Sequence, residues 1–186
     1  MAKSYNNVVT HGLSGKVGDL LVFRQRLGKT LVAKLPSRSG VYTEAQMAHR
    51  EKFRAAAYYA KSVMANPERK QLYQQGLRPG GSVFGRALGD FMKAPQVQEV
   101  STASYDGSMG SEIQISAFDD FLVHSVAVQI KLPNGSLLEE GLAVQPDSTS
   151  PFIYKATVQN NAIAGSIVEV QVTDLPGNKT NRQIIL

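Results

Sequence analysis

Three kinds of residue in this chain could do chemistry: Gly-Lys pairs, clustered carboxylates and histidines. Gly15-Lys16 and Gly28-Lys29-Thr30 sit among spaced glycines in the stretch GLSGKVGDLLVFRQRLGKTLVAKLP, from Gly12 to Pro36. A phosphate-cradling loop needs a further glycine five places before its Gly-Lys-Ser/Thr, so that successive N–H groups wrap the anion. Phe23 stands there instead. The loop must also open a helix whose N-terminus faces the phosphate. Here Thr30-Leu31-Val32-Ala33-Lys34-Leu35 alternates, is rich in strand formers and stops at Pro36. Gly15-Lys16 is followed by Val17, which offers magnesium no hydroxyl. The glycines therefore read as shaping an arm, not a nucleotide site.

Acid–base and metal chemistry find as little support. His11, His49 and His124 fall on separate elements without ligand spacing such as His-Glu-x-x-His. No Gly-x-Ser-x-Gly supplies a nucleophile elbow. The pairs Asp119-Asp120 and Glu139-Glu140 are adjacent in sequence, so in a strand their side chains point to opposite faces and cannot converge on one bond. Asp106, Asp119, Asp120, Asp174 and Asn178 are loop oxygens of the kind that can gather calcium. EF-hand spacing is missing, however, and a loop Asp more often forms a turn. The expectation is a chain that is not an enzyme, with no cofactor and no metal, whose melting temperature is indifferent to chelator.

The elements that carry these residues have uneven charge. Of the 186 residues, those up to Pro95 include 16 Lys and Arg against 5 Asp and Glu, a net of +11; the remainder has 4 against 10, a net of −6. Such asymmetry usually means a basic segment with an anionic partner, whether nucleic acid, a membrane surface or the acidic half of another copy. The alternative is two solvated surfaces of opposite sign that never meet. There is no cysteine, hence no disulfide or thiolate site, which fits a cytoplasmic setting. The first seven residues, MAKSYNN, lack the apolar run of a signal peptide, and no apolar stretch suffices to span a bilayer. On that footing the Asn-x-Ser/Thr triplets at Asn134 and Asn178 carry no glycosylation argument.

Periodicity divides the chain into three: residues 1–36, a Gly-rich β-hairpin arm; 37–95, a basic helical segment; and 96–186, an immunoglobulin-like β-sandwich. The fold class expected is thus α+β. In the arm, Leu20 to Phe23 and Leu31 to Leu35 make two strands joined by Arg24 to Gly28. In the helical segment, Thr43-x-x-Gln46 forms a capping box. It opens a helix running to about Ala65, with Ala45, Ala48, Phe53, Ala56, Ala60, Val63 and Met64 as its apolar stripe. Arg50, Arg54 and Lys61 fall outside that stripe. Asn66-Pro67 starts a second helix that Gly76 ends, and Ser82 caps a brief third through Phe84, Leu88, Phe91 and Met92. Seven strands are expected near 97–103, 112–118, 123–132, 136–144, 153–159, 166–173 and 180–186, with hairpin turns at Pro133-Asn134-Gly135 and Asp174-Leu175-Pro176-Gly177-Asn178.

Several motifs resemble those of uncharacterised bacterial proteins that join a glycine-rich hairpin to a helical segment, reminiscent of phage-derived structural proteins. They are Gly12-x-x-Gly15-Lys16-x-Gly18, Gly28-Lys29 and Thr43-x-x-Gln46-x-x-x-Arg50-x-x-Phe53. Asp119-Asp120-Phe121, Val126-x-Val128-x-Ile130, Glu139-x-Gly141-x-Ala143 and Asp174-Leu175-Pro176-Gly177-Asn178 are similar to the sandwich portion of the same proteins. Gly40-Val41-Tyr42 replaces the Asn-Pro expected before the helix.

The function expected is a non-catalytic structural protein that self-assembles, or decorates a tube, filament or phage-like particle, through its arm. The connecting residues expected are Leu20, Leu21, Val22, Phe23, Leu31 and Val32 with Arg24, Arg26 and Lys29. Leu20, Val22 and Val32 are assigned to one face of the hairpin, Leu21, Phe23 and Leu31 to the other. Two alternatives stay open. The sandwich loops could recognise a glycan or protein, or the basic half could meet nucleic acid through His49, Arg50, Lys52 and Arg54 with Tyr58 and Tyr59.

Overall fold

The computed structural model describes residues 2–4, 7–36 and 40–186. Met1, Tyr5, Asn6 and the start of the expected helical segment at Ser37 lie outside them. The fold is mixed α+β, with three helices and three antiparallel sheets. It divides into two compact units, residues 1–51 with 78–80, and residues 52–77 with 81–186.

The first unit is built on a four-stranded sheet. The strands β1 (Ala2–Ser4), β2 (Gly15–Val17), β3 (Leu21–Arg26) and β4 (Lys29–Lys34) lie in the order β1-β4-β3-β2. β3 and β4 form the expected hairpin, but its turn is only Leu27-Gly28 and both residues have positive φ, 52° and 71°. That is the mirror-image two-residue turn whose twist matches the flanking strands. It is tight because Arg24 to Arg26, expected in the connection, instead pair with Leu31 to Lys29. β1 and β2 were not foreseen. Each is three residues long, too short to show a period.

Helix α1 (Glu44–Ala65) begins in the first unit and ends in the second. Its capping box forms reciprocally: the Gln46 N–H donates to Thr43 Oγ1 at 3.3 Å, and the Thr43 N–H to Gln46 Oε1 at 3.0 Å. The expected apolar stripe is buried only in its second half, at Ala56, Ala60 and Val63; Ala45, Ala48, Phe53 and Met64 are exposed.

In the second unit, Asn66 and Ser82 cap α2 (Pro67–Gln74) and α3 (Val83–Met92) through their side-chain oxygens. Ala60, Val63, Tyr73 and Ala87 make a helical core, lined by Phe121 and Leu175 from loops between strands. All seven expected strands are present: β5 (Gln96–Ser101), β6 (Glu112–Phe118), β7 (Val123–Lys131), β8 (Leu137–Ala143), β9 (Phe152–Lys155), β10 (Ile167–Asp174) and β11 (Lys179–Ile185). They form two sheets, β11-β10-β7-β8 and β5-β6-β9. Val126, Val128 and Ile130 of β7 and Val168, Val170 and Val172 of β10 share one core with Ile113 and Ile115 of β6 and Phe152 of β9. The period-two alternation of β7 and β10 drives this arrangement, since it turns every second side chain inward.

A thinly covered basic sheet and a buried acidic cluster

Register sorts the expected connecting residues into two sets. Residues opposite each other across an antiparallel pair point to the same side. Leu21 faces Lys34, Phe23 faces Val32 and Gln25 faces Thr30, with Val17 opposite Leu21. On the other side Val22 faces Ala33, Arg24 faces Leu31 and Arg26 faces Lys29, and β1 adds Lys3 opposite Leu31 while β2 adds Lys16 opposite Val22. One face is therefore mainly apolar, the other a cationic rim around Val22, Leu31 and Ala33. This corrects the expected grouping: Val32 belongs with Phe23, and Leu31 with Val22. Leu20 lies in the β2–β3 turn, not on either face, and is 73% exposed.

The sheet has little to stand on. Thr30 is the sole buried residue among the described residues of its unit, and its Oγ1 accepts from Gln25 Nε2 at 2.8 Å. Val17 and Leu21 on the apolar face are exposed, while Phe23 and Val32 are half-buried.

A different group gathers in the second unit. One oxygen each of Asp90, Asp119 and Asp174 lies within 4.8 Å of the others. Asp90 comes from the last turns of α3, Asp119 from the loop after β6 and Asp174 from the end of β10. Two of the three are fixed by their own turns. Asp119 Oδ2 accepts from the N–H groups of Phe121 and Leu122 at 2.9 and 3.0 Å. Asp174 Oδ1 accepts from the N–H groups of Gly177 and Asn178 at 2.8 and 2.6 Å, and its Oδ2 accepts from Asn178 Nδ2 at 2.7 Å. Asp90 Oδ2 accepts from the Tyr73 hydroxyl, which lies 2.9 Å from that of Tyr59, while the Tyr73 ring stacks on Phe121.

The electrostatics are unbalanced. None of the three carboxylates forms an ion pair among the described residues; Lys93 pairs with the neighbouring Asp120 instead. Burial pushes Asp90 up to about 7. The Tyr73 hydroxyl works in the other direction, and the charges of Asp119 and Asp174 push it further up. The Tyr73 hydroxyl is itself raised far above its ordinary value, first by burial and then by its bond to Asp90.

The other candidates from sequence do not converge. Asp106 forms a turn with Ser108, whose hydroxyl and N–H hold its carboxyl below the usual range. Asn178 serves as a donor, to Asp174 and to the carbonyls of Phe91 and Lys93. Glu139 and Glu140 do point to opposite faces; Glu139 is buried, with Oε2 accepting from Thr157 and Val158. Among the described residues no histidine joins a cluster of metal-ligating groups. Sequence reasoning missed Asp90. The available signal was its place on the buried stripe of α3, three residues after Ala87.

No family model, curated protein or solved structure matches this chain. Fold and sites together define an α+β chain with a thinly covered basic sheet in one unit and a two-sheet core in the other. No described helix is long and apolar enough to cross a membrane.

Proposed function

We propose that this is a non-catalytic structural protein that self-assembles, or decorates a larger phage-like particle, through its N-terminal sheet. The observation that carries the reading is a four-stranded sheet with Thr30 as its one buried residue among those described. Sheets gain stability by covering an apolar face with a second layer. Val17, Leu21, Phe23 and Val32 form such a face, and a second copy is the occupant we favour. The two sheets around the shared core we read as an immunoglobulin-like sandwich, whose half of the chain carries a net charge of −6. The cationic rim of the N-terminal sheet complements it, and assembly would take place in the cytoplasm.

Magnitudes favour a repeated contact over a tight dimer. Fully burying four exposed side chains of this kind contributes roughly 6–12 kcal/mol, and less here because Phe23 and Val32 are already half-buried. Association costs about 4–15 kcal/mol in lost freedom. A single contact is thus near break-even, and stable association needs many contacts acting together.

Deleting residues 1–36 tests the reading. The remainder should keep its β-rich circular dichroism and sediment as a monomer under conditions where the full chain forms large species. Persistence of the same species would remove the sheet as connector. Large species that form only when DNA is added would instead favour the cationic rim as a nucleic-acid surface.

A further inference from the structure

The geometry points to a binding site for one divalent cation of the calcium class, held by Asp90, Asp119 and Asp174. This departs from the expectation of a metal-free chain and is independent of the assembly proposal.

The decisive atom is Asp90 Oδ1. Asp90 is 2% exposed, and its Oδ2 is taken by Tyr73. Its buried Oδ1 meets no N–H or O–H donor among the described residues, only the Asp119 carboxyl in reach, so a proton or a cation must join the two. A buried polar atom left unpaired is costly, and native proteins rarely keep one without a ligand or a function. This one belongs to a carboxyl group that gathers with two more carboxylates, with no cationic side chain paired to any of them among the described residues. Three like charges so placed repel unless a proton or a cation joins them.

The donor set chooses the class of cation. All three ligands are hard carboxylate oxygens, with no histidine or sulfur, which suits calcium or magnesium rather than zinc. Calcium bonds of 2.3–2.6 Å place opposite ligands about 5 Å apart, whereas magnesium bonds of 2.0–2.1 Å place them about 4 Å apart. The three oxygens lie within 4.8 Å of one another, close enough for one ion of this class to touch all three. The N–H groups of Phe121, Leu122, Gly177 and Asn178 hold Asp119 and Asp174 in place before any ion arrives. Asp119 also lines an open cleft of about 290 Å³ with Lys93, Asp120 and Phe118. A bound ion would tie α3, the loop after β6 and the β10–β11 turn together.

The test uses the full chain, stripped with chelator, desalted and held at about pH 8 so that protons compete little. Calcium chloride titrated in a calorimeter should bind with a stoichiometry of one and raise the melting temperature by several degrees. Terbium, a calcium substitute, should luminesce when tyrosine is excited, because Tyr73 bonds directly to Asp90. Asp90→Asn should stay folded, melt no lower than the stripped parent, and lose both responses. Asp106→Asn should keep them. Absence of calcium heat, melting shift and terbium luminescence at millimolar ion would overturn the site, as would loss of the response in Asp106→Asn alone. An equal melting shift with magnesium would overturn the assignment to calcium.

Discussion

Asn178 donates from Nδ2 to the main-chain carbonyl of Phe91 at 3.2 Å, joining positions 87 apart in sequence. The same amide reaches the carbonyl of Lys93 at 3.1 Å and Asp174 Oδ2 at 2.7 Å. Carbonyls at a helix C-terminus lack partners within the helix, so this side chain both caps α3 and fastens it to the β10–β11 turn.

Asn178→Ala should therefore cost about 1–3 kcal/mol in urea unfolding, because buried Asp174 and the carbonyls of Phe91 and Lys93 lose a partner at once. Asn134, in the Pro133-Asn134-Gly135 turn, is exposed, and its side-chain oxygen accepts from Ser136, two residues on. Its replacement by Ala should cost about 1 kcal/mol or less. Equal effects at the two positions would show that the Asn178 tie is not stabilising.

Tyr73→Phe deletes the hydroxyl shared between Asp90 and Tyr59 while keeping the ring stacked on Phe121. The expected loss is about 1–3 kcal/mol by chemical denaturation. Because that hydroxyl holds Asp90 down against burial, the Asp90 carboxyl should titrate higher still, as followed by carboxyl-carbon NMR in chelator. An unchanged titration would mean that Tyr73 does not engage the acid.

The pH dependence of the metal-free chain follows in sign from Asp90. Its folded pKa, about 7, lies above its ordinary 3.8, so the folded state holds a proton that the unfolded state releases. This contribution is fully present below about pH 4 and is lost as pH rises through about 7. Asp119, Asp174, Tyr73 and Tyr59 face the same group, and the negative charges among them act in the same direction. Melting temperature measured in chelator should fall between those limits for the parent and much less for Asp90→Asn. Parallel profiles would rule Asp90 out as the cause.

Much of the fold was legible in local signals. Thr43-x-x-Gln46, Asn66-Pro67 and Ser82 announce their helices because capping is a short-range hydrogen-bond pattern. The alternating valines of β7 and β10 announce strands because one face must be dry. What stayed hidden was tertiary. The apolar stripe of α1 does not reveal that only its second half is covered. Pairing register, not alternation alone, puts Val32 beside Phe23. Asp119 and Asp174 stood out as loop acids, but only folding brings Asp90 of α3 to them.

Two glycines with similar backbone separate conformational strain from packing. Gly135 and Gly107 have φ of 83° and 79°. A Cβ at Gly135 meets open space, whereas at Gly107 it would lie 2.6 Å from the carbonyl oxygen of Asn160. Gly135→Ala should cost about 1–2 kcal/mol for the left-handed conformation alone. Gly107→Ala adds a further overpacking cost of about 1–3 kcal/mol. Thermal melts showing Gly135→Ala as the worse variant would contradict this reading of the Gly107 turn.

The central claim, association through the apolar face of the N-terminal sheet, is tested most directly by sedimentation velocity of the full chain against a Val17→Lys, Leu21→Lys double variant. Both positions are exposed, so the substitutions leave the sheet's own hydrogen bonds intact and place charge only on the proposed contact. The account predicts that the parent forms large species cooperatively with concentration, while the variant keeps the parent's circular dichroism and sediments as a monomer. A parent that stays monomeric at every concentration, or a variant that assembles as the parent does, would contradict it.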